Sequence, residues 1–337
     1  MPRKVRWGVL GVAQIATKKV IPAMQRGECS EVRAIASRDK EKAREAAAAL
    51  GIERACGSYE ELLADGDIDA VYNPLPNHLH VPWSARAAEA GKHVLCEKPI
   101  ALNAAEARTL LAVRDRTGVK IGEAFMVRTH PQWLRAREIV RSGEIGEPRA
   151  FLCQFSYFNR DPENVRNVLD WGGGALYDIG CYPVNTSRFI FGEEPRRVIG
   201  LIDRDPDFGV DRLTSAMLEY PGGHAVFTCG TQHVPYQRVQ ILGTRGRIAI
   251  EIPFNAPSDQ RCRIAVDPGA DVFGSGTRVE ELPVCDQYTI QADLYSRAIR
   301  EGGEVPVPLE DSLRNMAVID AVFRSIESRC WEAVTES

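Results

Sequence analysis

Short apolar runs alternate with amphipathic stretches through the first 125 residues of the chain. The predicted strands cover residues 5–10, 32–37, 70–74, 93–96 and 120–124. The stretches between them have helical spacing, and Gly51, Gly91 and Gly118 follow three of these stretches as C-caps. Because the strands are apolar on both faces and alternate with helices, they predict a doubly wound parallel sheet in an α/β fold.

Longer β-rich runs dominate after residue 125. The predicted strands cover 149–158, 213–220, 225–232, 239–243 and 247–251, and the predicted helices cover 131–142, 175–191, 287–300 and 311–329. This pattern predicts an α+β domain with a large, mainly antiparallel, open sheet. The domains are therefore predicted at 1–125 and 126–337. A long open sheet exposes apolar surface, so we expect a homodimer or homotetramer.

Composition restricts the partners of the chain. Of the 337 residues, 44% are hydrophobic and 26% are charged, as in ordinary globular proteins. The net charge of -4 gives no general attraction for nucleic acid or anionic lipid. No apolar run approaches the roughly 20 residues that span a bilayer. The cysteines are scattered without a CxxC pair, and no signal-peptide pattern follows Met1, so we expect a cytoplasmic protein without a metal site.

A glycine-rich turn joins the first predicted strand to the first helix. Such a turn lets the backbone approach a pyrophosphate at a helix N-terminus, which predicts a dinucleotide cofactor. The GxGxxG pattern is incomplete, because Ala13 and Ala16 stand at the second and third glycine positions. A tight turn without a ligand is therefore the alternative. The residues predicted to bind the cofactor here are Gly8, Gly11, Ala13, Gln14 and Ile15.

The end of the second predicted strand favours NADP over NAD. Ser37 and Arg38 stand where NAD-selective sites place a carboxylate on the ribose, and Lys42 follows one helical turn later. A guanidinium at this point would bind a 2'-phosphate. Asp39 is the counter-argument, and the two cations could be ordinary solvated helix charges. NADP is therefore the expected cofactor, with NAD possible.

Two further predicted strands end in polar residues where open α/β sheets bind ligands. The residues predicted to contact the cofactor at these ends are Leu75, Pro76, Asn77, His80, Glu97 and Lys98. A lysine directly after a buried strand is unusual because of its desolvation cost. The alternatives are a lysine that reaches solvent and a histidine that is a polar group at a helix start.

A glycine run in the second half leads into a predicted helix that carries Asp178 and Tyr182. The two residues are four positions apart and so share one helix face. The glycines would let a substrate come close to the backbone. Packing of an aspartate and a tyrosine on an ordinary helix is the alternative.

Together these motifs resemble the glucose-fructose oxidoreductase, inositol dehydrogenase and rhizopine catabolism (Gfo/Idh/MocA) family over nearly the whole chain. The matching motifs are Gly8-x-x-Gly11, Pro76-Asn77-x-x-His80, Glu97-Lys98-Pro99 and Gly173-Gly174-x-x-x-Asp178-x-Gly180-x-Tyr182. Tyr182 stands where inositol dehydrogenases carry histidine, so the resemblance is to the branch of glucose-fructose oxidoreductase, xylose dehydrogenase and dihydrodiol dehydrogenase. Ala13 and Asn73 depart from the family pattern.

The resemblance implies hydride transfer between a sugar or polyol hydroxyl and NAD(P). It implies Tyr182 as the acid/base, Lys98 as the ammonium that lowers the pKa of that tyrosine, and Asp178 as an orienting carboxylate. It also implies that Glu97 contacts the ribose, that Tyr288 lies near the nicotinamide and that the bond before Pro99 is often cis.

The expected function is that of an NADP-preferring aldose dehydrogenase. The nearest alternative is a trans-dihydrodiol dehydrogenase, whose branch shares the tyrosine. A non-catalytic, cofactor-binding regulator and a glycosidase with tightly held NAD are further alternatives on the same fold.

Overall fold

The computed structural model describes residues 3–335 and divides into two compact units. The first unit contains the chain up to Met126 together with Asp286–Leu313, and the second contains Val127–Cys285 and the chain from Arg314 onward. The predicted division, 1–125 and 126–337, thus misplaced residues 286–313. This segment belongs to the first unit because Tyr295 is buried in its core and Ser296 accepts a hydrogen bond from the Trp7 indole at 3.1 Å.

The first unit contains a parallel sheet of six strands in the order β3-β2-β1-β4-β5-β6. Its strands are β1 (Val5–Leu10), β2 (Ser30–Ala36), β3 (Arg54–Cys56), β4 (Ala70–Asn73), β5 (His93–Cys96) and β6 (Ile121–Glu123). The predicted doubly wound parallel sheet is confirmed. The strand that the sequence pattern missed, β3, has only three residues, too few to show a periodicity.

Helices flank the strands at nearly the predicted positions. The α-helices of the chain are α1 (Ile21–Arg26), α2 (Lys40–Leu50), α3 (Tyr59–Leu63), α4 (His80–Glu89), α5 (Ala104–Thr117), α6 (Pro131–Arg141), α7 (Cys181–Phe191), α8 (Gln287–Glu301) and α9 (Leu309–Ser328). A π-helical turn precedes α1 at Ala16–Val20, and another precedes α7 at Leu176–Gly180. Gly51 and Gly118 end α2 and α5 with φ of 65° and 70°, left-handed values that glycine adopts readily.

The second unit contains a nine-stranded sheet in the order β14-β13-β12-β11-β7-β10-β9-β8-β15, and only β7 and β10 pair in parallel. Its strands are β7 (Pro148–Phe158), β8 (Arg197–Arg204), β9 (Asp211–Tyr220), β10 (Gly223–Gly230), β11 (Gln232–Gly243), β12 (Arg247–Ile250), β13 (Arg263–Asp267), β14 (Arg278–Glu281) and β15 (Glu332–Ala333). The predicted large, mainly antiparallel sheet is confirmed. The sequence pattern missed β8, β13, β14 and β15, which lie toward the two edges of the sheet.

One face of this sheet packs on aromatic and helical residues. The Trp133 ring of α6 stacks on Phe151 and Phe254, and Phe155 stacks on Phe254 with ring centroids 4.7 Å apart. The Tyr182 ring of α7 packs into the same group. No helix within residues 3–335 is both long and apolar enough to cross a membrane.

The opposite face carries an exposed apolar stripe. Strand register places Ile199, Met217, Val226 and Leu152 side by side across β8, β9, β10 and β7. Leu201, one row away, is 75% exposed. Because such a contiguous apolar surface is unfavourable in water, we expect it to pair with the same face of a second copy.

The double substitution Leu152→Glu and Met217→Glu tests this assembly. The wild type should sediment as a dimer or larger species at micromolar concentration, and the variant should shift toward monomer because two charges enter the paired surface. Val272→Glu, at an 83% exposed position outside the sheet, is the control and should not change the assembly. A wild type that sediments as a 37.3 kDa monomer would contradict the prediction.

Candidate active site

The turn after β1 is shaped for close approach to a ligand. Gly11 has φ of 88°, and a Cβ there would lie 3.0 Å from the Leu75 side chain. At Gly8 a Cβ would lie 2.6 Å from the side chain of Leu62. The Gly11 N–H donates to the Ala36 carbonyl at 2.8 Å, which fixes the turn to the end of β2. A side chain is therefore unfavourable at Gly11 because of its positive φ, whereas Gly8 lies within β1 and faces the end of the Leu62 side chain. Glycine at this turn fits the close approach of a dinucleotide.

A helical segment begins directly after this turn. Gln14 and Ile15 are its first helical residues, and the Thr17 N–H donates to the Ala13 carbonyl at 3.0 Å. The N–H groups before Thr17 lie at the helix N-terminus, where backbone donors bind phosphate. Ala13 and Ile15 pack against the core and Gln14 is exposed. The turn and the helix start together fit a dinucleotide pyrophosphate.

At the end of β2 the Arg38 side chain is exposed, whereas the Asp39 carboxylate caps α2. The Asp39 carboxylate caps α2 by accepting backbone N–H bonds, one of them from Lys42 at 3.2 Å. The Ser37 hydroxyl accepts from the Asp39 N–H at 3.1 Å. Arg38 is exposed and lies near Tyr59. Burial raises the pKa of the Tyr59 hydroxyl, and the charge of Arg38 opposes that shift.

His80 ties together the turns that follow β4 and β5. Its ring nitrogens lie 2.7 Å from the carbonyl oxygens of Leu75 and Pro99. The Asn73 amide donates to the His80 carbonyl at 3.1 Å and accepts from the Leu75 N–H at 3.3 Å. Asn73, a departure from the family pattern, is thus part of the support for this turn. The Lys98–Pro99 bond is cis, in agreement with the resemblance.

The polar residues at the end of β5 form a cluster with two tyrosines. The buried Tyr72 hydroxyl donates to Glu97 Oε1 at 2.5 Å, and burial together with that carboxylate raises the pKa of Tyr72. Burial and the Glu97 charge also raise the pKa of Tyr288 at the start of α8. Lys98 is half-buried next to them. Asn77 lies in the short 3-10 helix that Pro76 precedes.

In the second unit, Asp178 and Tyr182 face the same strand. Tyr157 and Phe155 are two residues apart on β7 and so point to one side of it. The Tyr157 hydroxyl donates to Asp178 Oδ2 at 2.5 Å, and the Phe155 ring lies 5.9 Å from that of Tyr182. The Arg166 Nε lies 2.8 Å from the same oxygen and forms an ion pair with it. The buried carboxylate thus has a hydrogen-bond donor and a cation at one oxygen.

Charge compensation links these groups. The Asp178 carboxylate raises the pKa of Arg166, and the hydroxyls of Tyr157 and Tyr182 add to that effect. Burial, followed by the charge of Asp178, raises the pKa of Tyr157 above its ordinary value. Arg166 therefore stays protonated and Tyr157 stays a hydrogen-bond donor at neutral pH.

The glycines before α7 leave room for backbone and side-chain atoms of the protein itself. A Cβ at Gly173 would lie 2.6 Å from the Arg166 carbonyl oxygen, and one at Gly174 would lie 1.9 Å from the carboxylate of Asp211. Asp211 in turn accepts from the Leu176 N–H at 2.7 Å. Glycine at these two positions thus leaves room for the backbone of Arg166 and the carboxylate of Asp211, and the approach of substrate to them stays a prediction.

Four side chains around the candidate residues were missed from the sequence. They are Tyr59, Tyr72, Tyr157 and Arg166. The three tyrosines reach their partners across the fold, over separations that no local pattern reveals. Arg166 lies twelve residues before Asp178 in a short 3-10 turn, Val165–Asn167. The sequence signal for it is the glycine pair that makes room for its backbone.

The comparisons with known proteins agree with this geometry. Residues 5–125 match an oxidoreductase family with an NAD-binding Rossmann fold, and residues 133–249 match the GFO/IDH/MocA C-terminal domain. The chain belongs to the Gfo/Idh/MocA oxidoreductase family. It is therefore an NAD(P)-binding enzyme that acts on CH–OH or keto groups, and the predicted family and cofactor class are confirmed.

Relatives within the family have several activities. ORF334 of Rhizobium meliloti, named an uncharacterized oxidoreductase, is 51% identical over 98% of this chain and 99% of its own length. A D-xylose 1-dehydrogenase (NADP(+)) of Haloferax volcanii is 39% identical over 96% of this chain and 97% of its own length. A trans-1,2-dihydrobenzene-1,2-diol dehydrogenase of Mus musculus is 34% identical over 73% of this chain and 74% of its own length. The family thus includes enzymes for both expected substrate classes.

A solved structure shows the same fold. KijD10, a 3-ketoreductase from Actinomadura kijaniata in complex with NADP and TDP-benzene, superposes with a TM-score of 0.89 at 32% identity. The match covers 96% of this chain and 98% of that one. Both units of the present chain therefore have counterparts in an NADP-bound relative.

Buried histidines should make the stability of this Gfo/Idh/MocA protein fall in acid. Burial lowers the pKa of His80 and of His130 to about 4, from 6.5. Between these values the unfolded chain binds protons that the folded chain does not, so stability is lost as the pH falls. Asp211 acts in the opposite direction, because burial raises its pKa to about 6. The net fall near pH 5 should be about 1 kcal/mol per pH unit.

Denaturant titrations across this pH range, at constant ionic strength, measure the effect. Asp211→Asn removes the opposing contribution and should make the fall steeper. A stability that is flat or rises as the pH falls from 6.5 to 4.5 would contradict the prediction.

Proposed function

We propose that this protein is an NADP-preferring dehydrogenase of neutral aldoses, with Tyr182 as acid/base and Lys98 as its assistant. The observation that carries the proposal is the shared face of Asp178 and Tyr182, with the carboxylate held by Tyr157 and Arg166. A tyrosine beside a compensated carboxylate suits proton transfer with an uncharged hydroxyl. The D-xylose dehydrogenase among the relatives supports this substrate class.

The end of β2 supports a preference for NADP. Asp39 is engaged in capping α2 and so does not compete with a phosphate for Arg38. Arg38 is exposed near Tyr59, so its guanidinium is accessible to a phosphate at the end of β2. Lys42 adds a second positive charge on the same helix start. The solved relative that contains NADP is consistent with this assignment.

The proposed chemistry divides the work among four side chains. Tyr182 removes the proton of the substrate hydroxyl, and the Lys98 ammonium favours its phenolate because opposite charges lower a tyrosine pKa. Asp178 orients a second hydroxyl of the substrate, and Glu97 binds the cofactor ribose. When bound, the nicotinamide supplies the hydride acceptor.

The charges of the loop before α7 favour a neutral substrate. Arg160 pairs with Asp207 at 2.5 Å and with the buried Asp205 at 3.4 Å, and Arg166 pairs with Asp178. Both arginines of this loop are thus compensated by carboxylates, whereas a diphosphate-linked sugar would call for uncompensated cations. A free sugar suits the loop better than the nucleotide sugars that a TDP-bound relative takes.

The alternative is a trans-dihydrodiol dehydrogenase, favoured by the relative of that activity. It would use the same tyrosine and the same CH–OH oxidation. A substrate panel of aldoses, polyols and dihydrodiols with NADP separates the two functions by the substrate with the highest kcat/KM. A regulator without catalysis would reduce NADP with no member of that panel.

Arg38→Ala tests the cofactor preference. Loss of a charge-assisted bond should weaken NADPH binding by ~1.5–3 kcal/mol and leave NADH binding nearly unchanged. Fluorescence titration gives both dissociation constants. Arg44→Ala, which removes an exposed cation paired with Glu41 on the same helix, is the control and should change neither. An equal loss for both cofactors would show that Arg38 does not recognise the 2'-phosphate.

Tyr182→Phe and Lys98→Met test the acid/base assignment. Each should lower kcat by ~10²–10⁴ because one proton transfer is lost in both, and Tyr182→Phe should leave NADP affinity nearly unchanged. The double variant should lose little more than either single one. Tyr220→Phe, which removes a buried hydroxyl bonded to Ser187, is the control and should affect stability only. A folded Tyr182→Phe enzyme with more than about a tenth of wild-type kcat would exclude the assignment.

A further inference from the structure

Arg166 has hydrogen-bonding capacity that its ion pair does not use. A guanidinium carries five N–H donors, and the Arg166 guanidinium pairs with Asp178 through its Nε, which lies 2.8 Å from Oδ2. The side chain is 41% exposed, whereas that of Asp178 is only 11% exposed. Within residues 3–335 no other side chain or carbonyl accepts from this guanidinium. Its two Nη groups are therefore open to solvent, while the ion pair with Asp178 holds the guanidinium in place.

The backbone holds Arg166 in place from both sides. The Asn164 side chain accepts from its N–H at 3.1 Å, and the Gly174 N–H donates to its carbonyl at 2.9 Å. The missing side chain of Gly173 permits this close contact. An exposed arginine usually loses rotamer freedom on binding a ligand, but this one is already ordered by Asp178. The two Nη groups of Arg166 are thus preorganised for a ligand.

The charge of Arg166 also restricts what it can bind. Asp178 compensates the guanidinium, and the hydroxyls of Tyr157 and Tyr182 belong to the same cluster. An anionic ligand would meet a carboxylate at this point as well as the cation. Hydroxyl oxygens, which accept hydrogen bonds without adding charge, suit the pair better. Two neighbouring Nη groups match two oxygens on adjacent carbons.

We propose that Arg166 is a specificity-determining residue that donates from its Nη groups to vicinal hydroxyl oxygens of the substrate, next to the carbon that is oxidised. The inference rests on the proposed function and deepens it, because it assigns the substrate class to 1,2-diol sugars. Asp178 then also holds the Arg166 guanidinium in place and balances its charge.

An aldose and its 2-deoxy analogue test this role. The wild type should prefer the aldose by ~10–100-fold in kcat/KM, the value of a charge-assisted hydrogen bond, and should bind it correspondingly more tightly in calorimetry on the NADPH-loaded enzyme. Arg166→Gln should reduce both ratios to less than about threefold. Arg166→Lys keeps the charge beside Asp178 but lacks the pair of Nη groups, and it should also lose the preference for the aldose over its 2-deoxy analogue.

Arg160→Gln is the matched control from the same loop, and it should keep the wild-type ratio. Melting temperatures establish that the variants fold. An unchanged preference in both Arg166 variants, or equal wild-type binding of the two sugars, would overturn the inference. Binding discrimination without NADP reduction would leave the role of Arg166 intact and refute the proposed dehydrogenase function instead.

Discussion

The buried carboxylate of Asp178 is the constraint on which the second unit's candidate site depends. A charge removed from water is costly unless it is paired and hydrogen-bonded. Tyr157 and Arg166 supply that compensation, both on Oδ2. Strand β7 therefore needs a tyrosine at this position, and the loop before α7 needs an arginine opposite it. The glycine pair leaves room for the backbone of that arginine. Removal of Asp178 or Arg166 leaves the other as an unpaired charge, and removal of Tyr157 takes a hydrogen-bond donor from the carboxylate.

In the first unit, buried side chains hold several loops at one end of the parallel sheet. His80 joins the turns after β4 and β5 through two carbonyl oxygens, and Asn73 fixes the first of these turns from below. Tyr72 donates a hydrogen bond to Glu97. The Glu97 carboxylate and the turns at Leu75 and Pro99 are thus held by buried side chains. Such preorganisation reduces the ordering cost of binding a large cofactor.

The sequence predicted the sheets because their central strands have clear patterns. Strands β1 and β5 are mostly apolar, and their bounds agree with prediction, whereas β3 and β14 are too short or too polar to recognise. The location of residues 286–313 in the first unit could not be predicted, since it depends on Tyr295 packing far from its neighbours in the sequence. Asp178 and Tyr182 were identified from their motif. Their partner Arg166 was not, because an ion pair between a loop and a helix has no sequence period.

The most direct test of the central claim is the substrate charge that the intact enzyme accepts. Steady-state reduction of NADP should be measured with neutral aldoses, the corresponding sugar acids and nucleoside-diphosphate sugars under identical conditions. A compensated Asp178–Arg166 pair beside Tyr182, the proposed acid/base, predicts the highest kcat/KM for a neutral aldose, with much lower values for both charged classes. A clear preference for a sugar acid or a nucleoside-diphosphate sugar would contradict it.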